Sequence, residues 1–207
     1  MENILYIFIS HQNNINNIYD RIKNIMDSHN NSNYILVKGG NVSDNYDIDS
    51  KILSINCNDK YEGLPEKVLK TYKYIVESSM FNQYTHFIKL DDDMIIKKIM
   101  DYNDIKNINY GGNVQTTNEG DRKWHMGKCS KNSIWNITPY KGIYTHWCKG
   151  GYGYIISRNA INNIKYDKNY FNNIYEDLYI ALTLKKCNIY PININNWVSF
   201  FISPDHK

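Results

Sequence analysis

Three adjacent carboxylates, Asp91, Asp92 and Asp93, follow directly after the largely apolar run 86–90. Adjacent carboxylates repel each other unless a cation neutralises them, and hard divalent cations bind carboxylate oxygens. A cation at this position could bridge to a diphosphate group and neutralise the charge that develops on it. The triplet therefore predicts a site for Mn²⁺ or Mg²⁺. The alternative interpretation is an acidic turn that is exposed to solvent.

A second acidic pair, Glu176 and Asp177, opens a segment whose apolar residues favour a helix over 176–186. One of these carboxylates could act as a general base that deprotonates an incoming hydroxyl group. The alternative explanation is local, because acidic side chains in the first turn of a helix are stabilised by the helix dipole.

Glycines and aromatic residues are concentrated in the segment 144–156. Gly150 and Gly151 would let the backbone approach a ligand closely, although glycines at these positions could equally form a tight turn. Aromatic rings offer flat apolar faces to a sugar, and three residues are candidates for that contact: Tyr144, Trp147 and Tyr152.

The six histidines are dispersed, and no two have the spacing of a helical metal site, so each is interpreted first as a structural residue. His206 is kept as a candidate metal ligand because a residue late in the chain can return to a metal site. The four cysteines form no Cys-x-x-Cys pair, which argues against a structural zinc site.

Strand-like and helix-like segments alternate through the first hundred residues, and these elements must position the acidic triplet. Buried strands are predicted at 4–9, 34–37, 51–55 and 86–90, and helices at 15–26 and 65–76. This alternation predicts an α/β fold with a mainly parallel central sheet flanked by helices. In such sheets ligands bind beyond the carboxyl ends of the strands, where the triplet falls.

The second half is less regular. A strand is predicted at 110–115 and another at the end of the glycine segment, and a helix capped by Ser157 should follow it. The segments 41–49 and 116–142 are polar and are interpreted as loops. We expect one domain over 1–207, with a nucleotide-binding half at about 1–93 and an acceptor-side half at about 94–207.

Composition excludes several classes of protein. A hydrophobic content of 42% with 14% aromatic residues is typical of a packed globular protein. A net charge of +3 without a long basic run argues against a nucleic-acid partner. The longest apolar stretch, 4–9, is too short to span a membrane and lacks the features of a signal peptide. We therefore expect a cytoplasmic protein with reduced thiols, and we interpret its many Asn, Ile, Lys and Tyr residues as AT-rich codon usage, such as that of a virus.

Five short motifs follow one another between residues 50 and 190. They are Asp59-x-Tyr61-x-x-Leu64-x-x-Lys67, Phe87-Ile88-Lys89-Leu90-Asp91-Asp92-Asp93, Tyr110-x-Gly112-Asn113-Val114, Cys148-x-Gly150-Gly151-Tyr152-x-Tyr154-x-x-Ser157 and Glu176-Asp177-Leu178-Tyr179-x-x-Leu182. In this order they resemble the beta-1,3-galactosyltransferase and Fringe-like family of inverting glycosyltransferases. Their order and spacing make the resemblance more specific than any single motif.

The resemblance implies a GT-A fold, dependence on manganese, a UDP-sugar donor and a glycan or glycoprotein acceptor. It implies that Asp93 is a direct metal ligand and that Asp91 and Asp92 contact the metal, its bound water or the donor. Lys67 matches a family position near the donor. The acidic pair matches the position of the catalytic base, with Asp177 as the first choice and Glu176 as the second. The glycine segment, with Gly150, Gly151 and Tyr152, would border the donor.

The sequence departs from the family pattern in two places. Many GT-A enzymes place a histidine ligand near the C-terminus, whereas this chain has phenylalanine in the segment 198–201, so His206 or water would complete the metal shell. The resemblance also implies that Cys129 and Cys148 correspond to the cysteines of a family disulfide, which a cytosolic protein need not form.

Two other functions compete with a glycosyltransferase. One is a non-catalytic domain of the same fold that binds a nucleotide sugar or glycan without turnover. The other is a metal-dependent phosphatase of the haloacid-dehalogenase type, which also places paired aspartates after a strand. That family uses its first strand, whereas the triplet here begins at residue 91.

Overall fold

The sheet at the centre of the fold is built around a strand that is buried along its whole length, Ile4–Ile9. The computed structural model describes residues 3–31, 33–117, 119–166 and 172–204. Its strands are β1 (Ile4–Ile9), β2 (Tyr34–Gly40), β3 (Asn45–Asp47), β4 (Ile52–Asn56), β5 (His86–Asp91), β6 (Ile95–Ile96), β7 (Tyr110–Gly112), β8 (Val114–Gln115), β9 (Trp147–Cys148), β10 (Tyr154–Ser157), β11 (Ile192–Asn193) and β12 (Phe201–Ile202). Its α-helices are α1 (Ile15–Ser28), α2 (Leu64–Glu77), α3 (Tyr102–Ile105), α4 (Arg158–Asn162) and α5 (Glu176–Lys185).

Eight strands form the main sheet, in the order β11-β7-β10-β5-β1-β2-β4-β3. The central strands β5, β1, β2 and β4 are parallel, whereas β10 is antiparallel to both of its neighbours and β3 is an antiparallel edge strand. A strand that is covered on both faces needs apolar side chains on both, which explains the continuous apolar run of β1. The α/β class predicted from the sequence, with a mainly parallel central sheet flanked by helices, is confirmed.

The helices cover both faces of this sheet. Successive side chains of β1 point to opposite faces. Its odd-numbered residues pack in one core with residues of α2, α4 and α5, and its even-numbered residues pack in the other core with residues of α1. Both faces are therefore closed, and the carboxyl edge of the parallel strands is where side chains of different elements can meet a ligand.

Two predicted segments differ from the structure. The predicted loop 41–49 contains the short edge strand β3, which pairs with β4 and packs Tyr46 against Phe81. The single strand predicted at 110–115 is two strands, because the chain leaves the main sheet at Asn113 and β8 pairs with β9 in a separate sheet. The predicted cap is present, since the Ser157 side chain accepts from the Ala160 N–H at 3.1 Å.

The four cysteines are free thiols, including Cys129 and Cys148. Within the described ranges, no helix is both long enough and apolar enough to cross a membrane. The proposed halves at about 1–93 and 94–207 stay a prediction, and strands from both contribute to the main sheet.

Candidate active site

The acidic triplet lies at the carboxyl edge of the sheet, and its three side chains have different surroundings. Asp91 is the last residue of β5, opposite Ile9 of β1. Asp92 turns towards the neighbouring segment, where its Oδ2 accepts from Ser10 Oγ at 2.7 Å and from Asn14 Nδ2 at 3.0 Å. Asp93 is exposed in the turn that follows. Asp91 and Asp93 are therefore accessible to a ligand, whereas Asp92 ties this turn to the segment between β1 and α1.

Lys89 connects Asp91 to the second acidic pair. It lies on the same face of β5 as Asp91 and is only 1% exposed. Its Nζ donates to Asp91 Oδ1 at 2.6 Å and to the carbonyl oxygen of Gly150 at 3.3 Å, and it lies 3.5 Å from Oε2 of Glu176. Burial opposes the charge, but the carboxylates outweigh it and hold the pKa of Lys89 above its usual value. A buried positive charge thus separates the two acidic sites.

Glu176 is the buried member of the second pair. Its Oε1 accepts from the hydroxyl group of Tyr154, which in turn accepts from the hydroxyl group of Tyr72 at 3.0 Å. Burial raises the pKa of Glu176 to about 7, although the charge of Lys89 opposes the shift. Glu176 therefore gains or loses its proton near neutral pH.

Asp177 is half-buried and its carboxylate is fixed by two backbone groups. Oδ2 accepts from the Gly150 N–H at 2.8 Å, and Oδ1 accepts from the N–H of Leu178 at 2.8 Å. Burial raises the pKa of Asp177, and these two hydrogen bonds oppose the rise. The carboxylate is held in one orientation while its pKa stays above that of an ordinary aspartate, which suits a general base.

The glycine segment approaches these side chains closely. A Cβ atom at Gly150 would lie 3.0 Å from Oε2 of Glu176 and 3.1 Å from Cβ of Asp177. Gly153 has a φ of +75°, and a Cβ atom there would lie 2.7 Å from the carbonyl oxygen of Lys89. The glycines therefore bring the segment against β5 and α5, while a Cβ atom at Gly151 would meet no atom within 4 Å.

One cavity of about 510 Å³, here called the site cavity, lies between Asp91 and the Glu176–Asp177 pair, and Asp93 is not part of its lining. Its polar wall contains Lys89, Asp91, Lys149, Glu176 and Asp177. Its aromatic wall contains Tyr61, Trp124, Tyr144, Trp147, Tyr152 and Tyr175. Part of that wall comes from the segment 119–142, here called the cavity loop. The arrangement places carboxylates beside aromatic faces, which is suited to a sugar ring and its hydroxyl groups.

A second cavity of about 390 Å³ adjoins the first and shares Tyr61 and Lys128 with it. The remaining lining is mostly basic or polar: His11, Lys60, Cys129, Ser130 and Lys131. Since His11 follows β1 and Ile9 of β1 pairs with Asp91, this cavity lies beside the carboxyl edge of the sheet. Its positive side chains suit an anionic group.

Lys67, the residue predicted near a donor, is buried on α2. Its Nζ forms an ion pair with Asp59 and donates to the carbonyl oxygen of Ser10 at 2.7 Å. Asp59 also accepts from the backbone N–H groups of Gln12 at 2.6 Å and Gly39 at 2.8 Å. Lys67 lines neither cavity and instead joins the ends of three strands, so its contact with a donor stays a prediction.

The structure brings most of the other predicted residues together. Gly150, Gly151 and Tyr152 line the site cavity with Asp91, Glu176 and Asp177. His206 lies outside the described residues. Ser203, just after β12, lines the cavity, and Phe201 is part of the core.

Sequence reasoning missed the role of Lys89. A signal was available, because a lysine within a strand predicted to be buried needs a carboxylate partner. It also missed the hydrogen bond from Tyr154 to Glu176, for which one sequence holds no comparable signal.

The acidic residues at the carboxyl edge of the sheet offer carboxylate oxygens to a divalent cation. Among residues 3–31, 33–117, 119–166 and 172–204, no three side chains of His, Cys, Asp or Glu converge on a common point. Asp91 and Asp93 nevertheless offer the hard carboxylate oxygens that Mn²⁺ and Mg²⁺ bind. The chemistry of this pair fits such a cation, and these two residues would hold it.

Comparison with known proteins places the chain by sequence. The sequence model of the galactosyltransferase family, described as Galactosyltransferase, matches residues 41–195. This range includes Asp91, Asp93, Gly150 and both members of the Glu176–Asp177 pair. None of the curated proteins matches the sequence.

Three solved structures are similar to the chain at low sequence identity. A197 from STIV is 15% identical with a TM-score of 0.49, and the match covers 99% of this chain and 92% of that one. A protein from Bacillus anthracis, provisionally named a glucose-1-phosphate thymidylyltransferase and solved with sucrose, is 8% identical with a TM-score of 0.47, covering 97% and 89%. A 4-diphosphocytidyl-2C-methyl-D-erythritol synthase is 9% identical with a TM-score of 0.42, covering 94% and 89%.

Proposed function

The chain belongs to the galactosyltransferase family, and from this premise we propose that it is a metal-dependent inverting glycosyltransferase. It would transfer a sugar from a UDP-sugar to a hydroxyl group of a glycan or glycoprotein. The observation that carries the proposal is that Asp91 and Asp177 line the same cavity, with the buried Lys89 between their two sites.

Asp177 is the proposed general base. The acceptor oxygen forms a bond to the anomeric carbon, the bond from that carbon to the diphosphate oxygen breaks, and the acceptor proton moves to the Asp177 carboxylate. A single displacement of this kind inverts the configuration at the anomeric carbon. The Gly150 and Leu178 N–H groups hold the carboxylate in place. Glu176 is less suited to contact the acceptor because it is buried and bonded to Tyr154.

The donor phosphates are assigned to the carboxyl edge of the sheet. A divalent cation held by Asp91 and Asp93 would neutralise the charge that develops on the leaving diphosphate. The second cavity supports this assignment, since its Lys60, Lys128 and Lys131 side chains can attract the same phosphates. Asp92 keeps the turn in position through Ser10 and Asn14.

The acceptor is assigned to the aromatic wall of the site cavity. Tyr144 and Trp147 lie with their ring centres 5.5 Å apart on this wall and offer apolar faces to a sugar ring.

The test is release of UDP from a panel of UDP-sugars, with and without Mn²⁺ and with simple glycoside acceptors. We expect Asp177→Asn to lower turnover by roughly 10²–10⁴-fold, because a positioned base contributes about that factor. Stabilisation of the protein by the donor should persist in Asp177→Asn and should be lost in Asp93→Ala or in EDTA. Asp20→Asn, at an exposed position of α1, is the matched control and should behave as wild type.

Two results would contradict the proposal in different ways. Donor binding without turnover by the wild-type chain, across all donors and acceptors, would instead support a non-catalytic binding domain. If neither UDP nor any UDP-sugar stabilised the protein, the proposal that the donor is a UDP-sugar would be wrong.

A further inference from the structure

A fully buried histidine, His125, joins the cavity loop to the residue before α5, the helix that begins with Glu176 and Asp177. Its Nε2 lies 3.0 Å from the carbonyl oxygen of Thr138, and its Nδ1 lies 2.9 Å from the hydroxyl oxygen of Tyr175. That hydroxyl donates to the carbonyl oxygen of Asp121 at 2.7 Å. One imidazole and one phenol thus connect three points of the chain.

Ring packing reinforces these polar contacts. The His125 ring lies edge-on to Trp135 at 5.6 Å and to Tyr175 at 5.4 Å. Tyr175 also packs on Tyr140, with ring centres 5.1 Å apart. Edge-to-face aromatic pairs stabilise a structure beyond the effect of the area that they bury. Because the contacts come from both ends of the cavity loop, the loop is held along most of its length.

The position of Tyr175 gives this contact a consequence for the active site. Tyr175 immediately precedes α5, whose first two residues are Glu176 and Asp177. On the other side of the contact, Trp124 and Asp121 of the cavity loop line the site cavity. The loop and the base are therefore attached to each other at a point two residues from Asp177.

We propose that His125 is a positioning residue that holds the acceptor wall at a fixed distance from the general base. The inference rests on the proposed function, because it assigns the cavity loop to the acceptor. A shift of about 1 Å between reacting groups can reduce turnover by about 10²-fold, so a loop that separates from Tyr175 should impair transfer. Donor binding should change less than acceptor binding. Asp91 and Asp93 take no part in the contact, and Lys60 of the second cavity lies outside the loop, whereas Lys128 and Lys131 lie on it.

The first experiment compares His125→Ala with His146→Ala, a control at an exposed position before β9. In His125→Ala we expect the acceptor KM to rise by about 10-fold and kcat to fall, with a smaller rise in the donor KM. A merely structural role would lower the fraction of folded enzyme and leave both KM values as they are. Tyr175→Phe keeps the ring and removes the hydroxyl, and should reproduce part of the effect if His125→Ala folds poorly.

The second experiment requires no activity. Lys128 and Lys131 are exposed on the cavity loop, so trypsin cleavage there under native conditions reports how often the loop opens. Cleavage should be about 10-fold faster in His125→Ala and in Tyr175→Phe than in wild type, and unchanged in His146→Ala. Equal cleavage rates in all four proteins would overturn the proposal.

Failure of this inference and failure of the proposed function are distinguishable. An active wild type whose acceptor KM and kcat do not change in His125→Ala or Tyr175→Phe would overturn the inference alone. A wild type that transfers no sugar would overturn the proposed function and the assignment of the loop to an acceptor.

Discussion

Two buried lysines lie near the carboxyl edge of the sheet, and their ion pairs have opposite characters. Lys67 on α2 pairs with Asp59, and both side chains are almost entirely buried. Lys89 on β5 pairs with Asp91 and approaches Glu176, and the Asp91 side chain is 35% exposed to the site cavity. The first pair is closed to a ligand, whereas the second is open to one.

The carboxylates differ in the same way. At Asp59 burial raises the pKa, but hydrogen bonds from Gln12 and Lys67 outweigh it and hold the pKa below its usual value. At Glu176 and Asp177 burial prevails and the pKa of each is raised. An acid that is satisfied by its surroundings supports the fold, while an acid whose charge is poorly satisfied remains ready to take a proton. The direction of the pKa shift therefore distinguishes a structural carboxylate, Asp59, from the candidate catalytic carboxylates, Glu176 and Asp177.

The largest expected effect is on stability, in Lys67→Met. Removing one partner from a buried ion pair costs about 3–5 kcal/mol, because the other charge stays buried. Lys73→Met on the same helix is the control, since its pair with Glu77 is exposed and should contribute less than about 1 kcal/mol. Urea unfolding measures both variants. Equal unfolding midpoints for the two variants would show that the ion pair between Lys67 and Asp59 does not stabilise the fold more than the exposed pair.

The strands that support the site could be predicted from the sequence better than the contacts between its charged side chains. The apolar runs at 4–9 and 86–90 locate β1 and β5, and parallel pairing then places Asp91 at the carboxyl edge. The contact of Lys89 with Glu176 could not be predicted in this way. It depends on β10 pairing antiparallel with β5 and on the close approach of Gly150, which are long-range features that local spacing does not encode.

The same limit applies to the individual acids of the triplet. Three adjacent aspartates are equivalent in the sequence, and only the packing of α1 against the sheet distinguishes Asp92, which binds Ser10 and Asn14. The loop predicted at 41–49 was wrong for a related reason, because β3 is a three-residue edge strand with a single half-buried side chain, Tyr46, between two exposed ones.

The second prediction concerns pH and uses Glu176→Gln. The folded chain holds the Glu176 proton up to a pKa of about 7, whereas the unfolded chain releases it near the usual 4.5. The stability from this proton is therefore complete below pH 4.5 and is lost as pH rises through 7. At about 1.4 kcal/mol per pKa unit the loss is about 3 kcal/mol at most.

Measuring the free energy of unfolding from pH 4.5 to 8 in wild type and in Glu176→Gln isolates this contribution. The difference between the two proteins should decline as pH rises. Asp59 has the opposite sign, because its lowered pKa gives stability that is lost as pH falls below the usual range of an aspartate. A difference that stays constant with pH would contradict the raised pKa of Glu176.

The third prediction concerns turnover, whereas the first concerned stability. Lys89→Met should reduce kcat by about 10²-fold, because Asp91 and the Glu176–Asp177 pair lose the charge that fixes their separation. Its effect on stability should be smaller than that of Lys67→Met, since Glu176 can take up a proton and Asp91 can turn to solvent. Steady-state kinetics and urea unfolding on the same preparation measure both. A fully active Lys89→Met of low stability would make Lys89 a second scaffold lysine.

The smallest expected effect is on stability and distinguishes two adjacent glycines near Lys89, Gly150 and Gly151. Gly150→Ala should destabilise the fold by about 1–3 kcal/mol, because its Cβ would press on the side chains of Glu176 and Asp177. Gly151→Ala meets open space and should unfold at nearly the same urea concentration as wild type. Since Gly151 lines the site cavity, a raised KM in a fully folded Gly151→Ala would place the substrate against this residue. If Gly150→Ala were as stable as Gly151→Ala, the carboxylates would have room to move, and the fixed geometry on which Asp177 depends as a base would be contradicted.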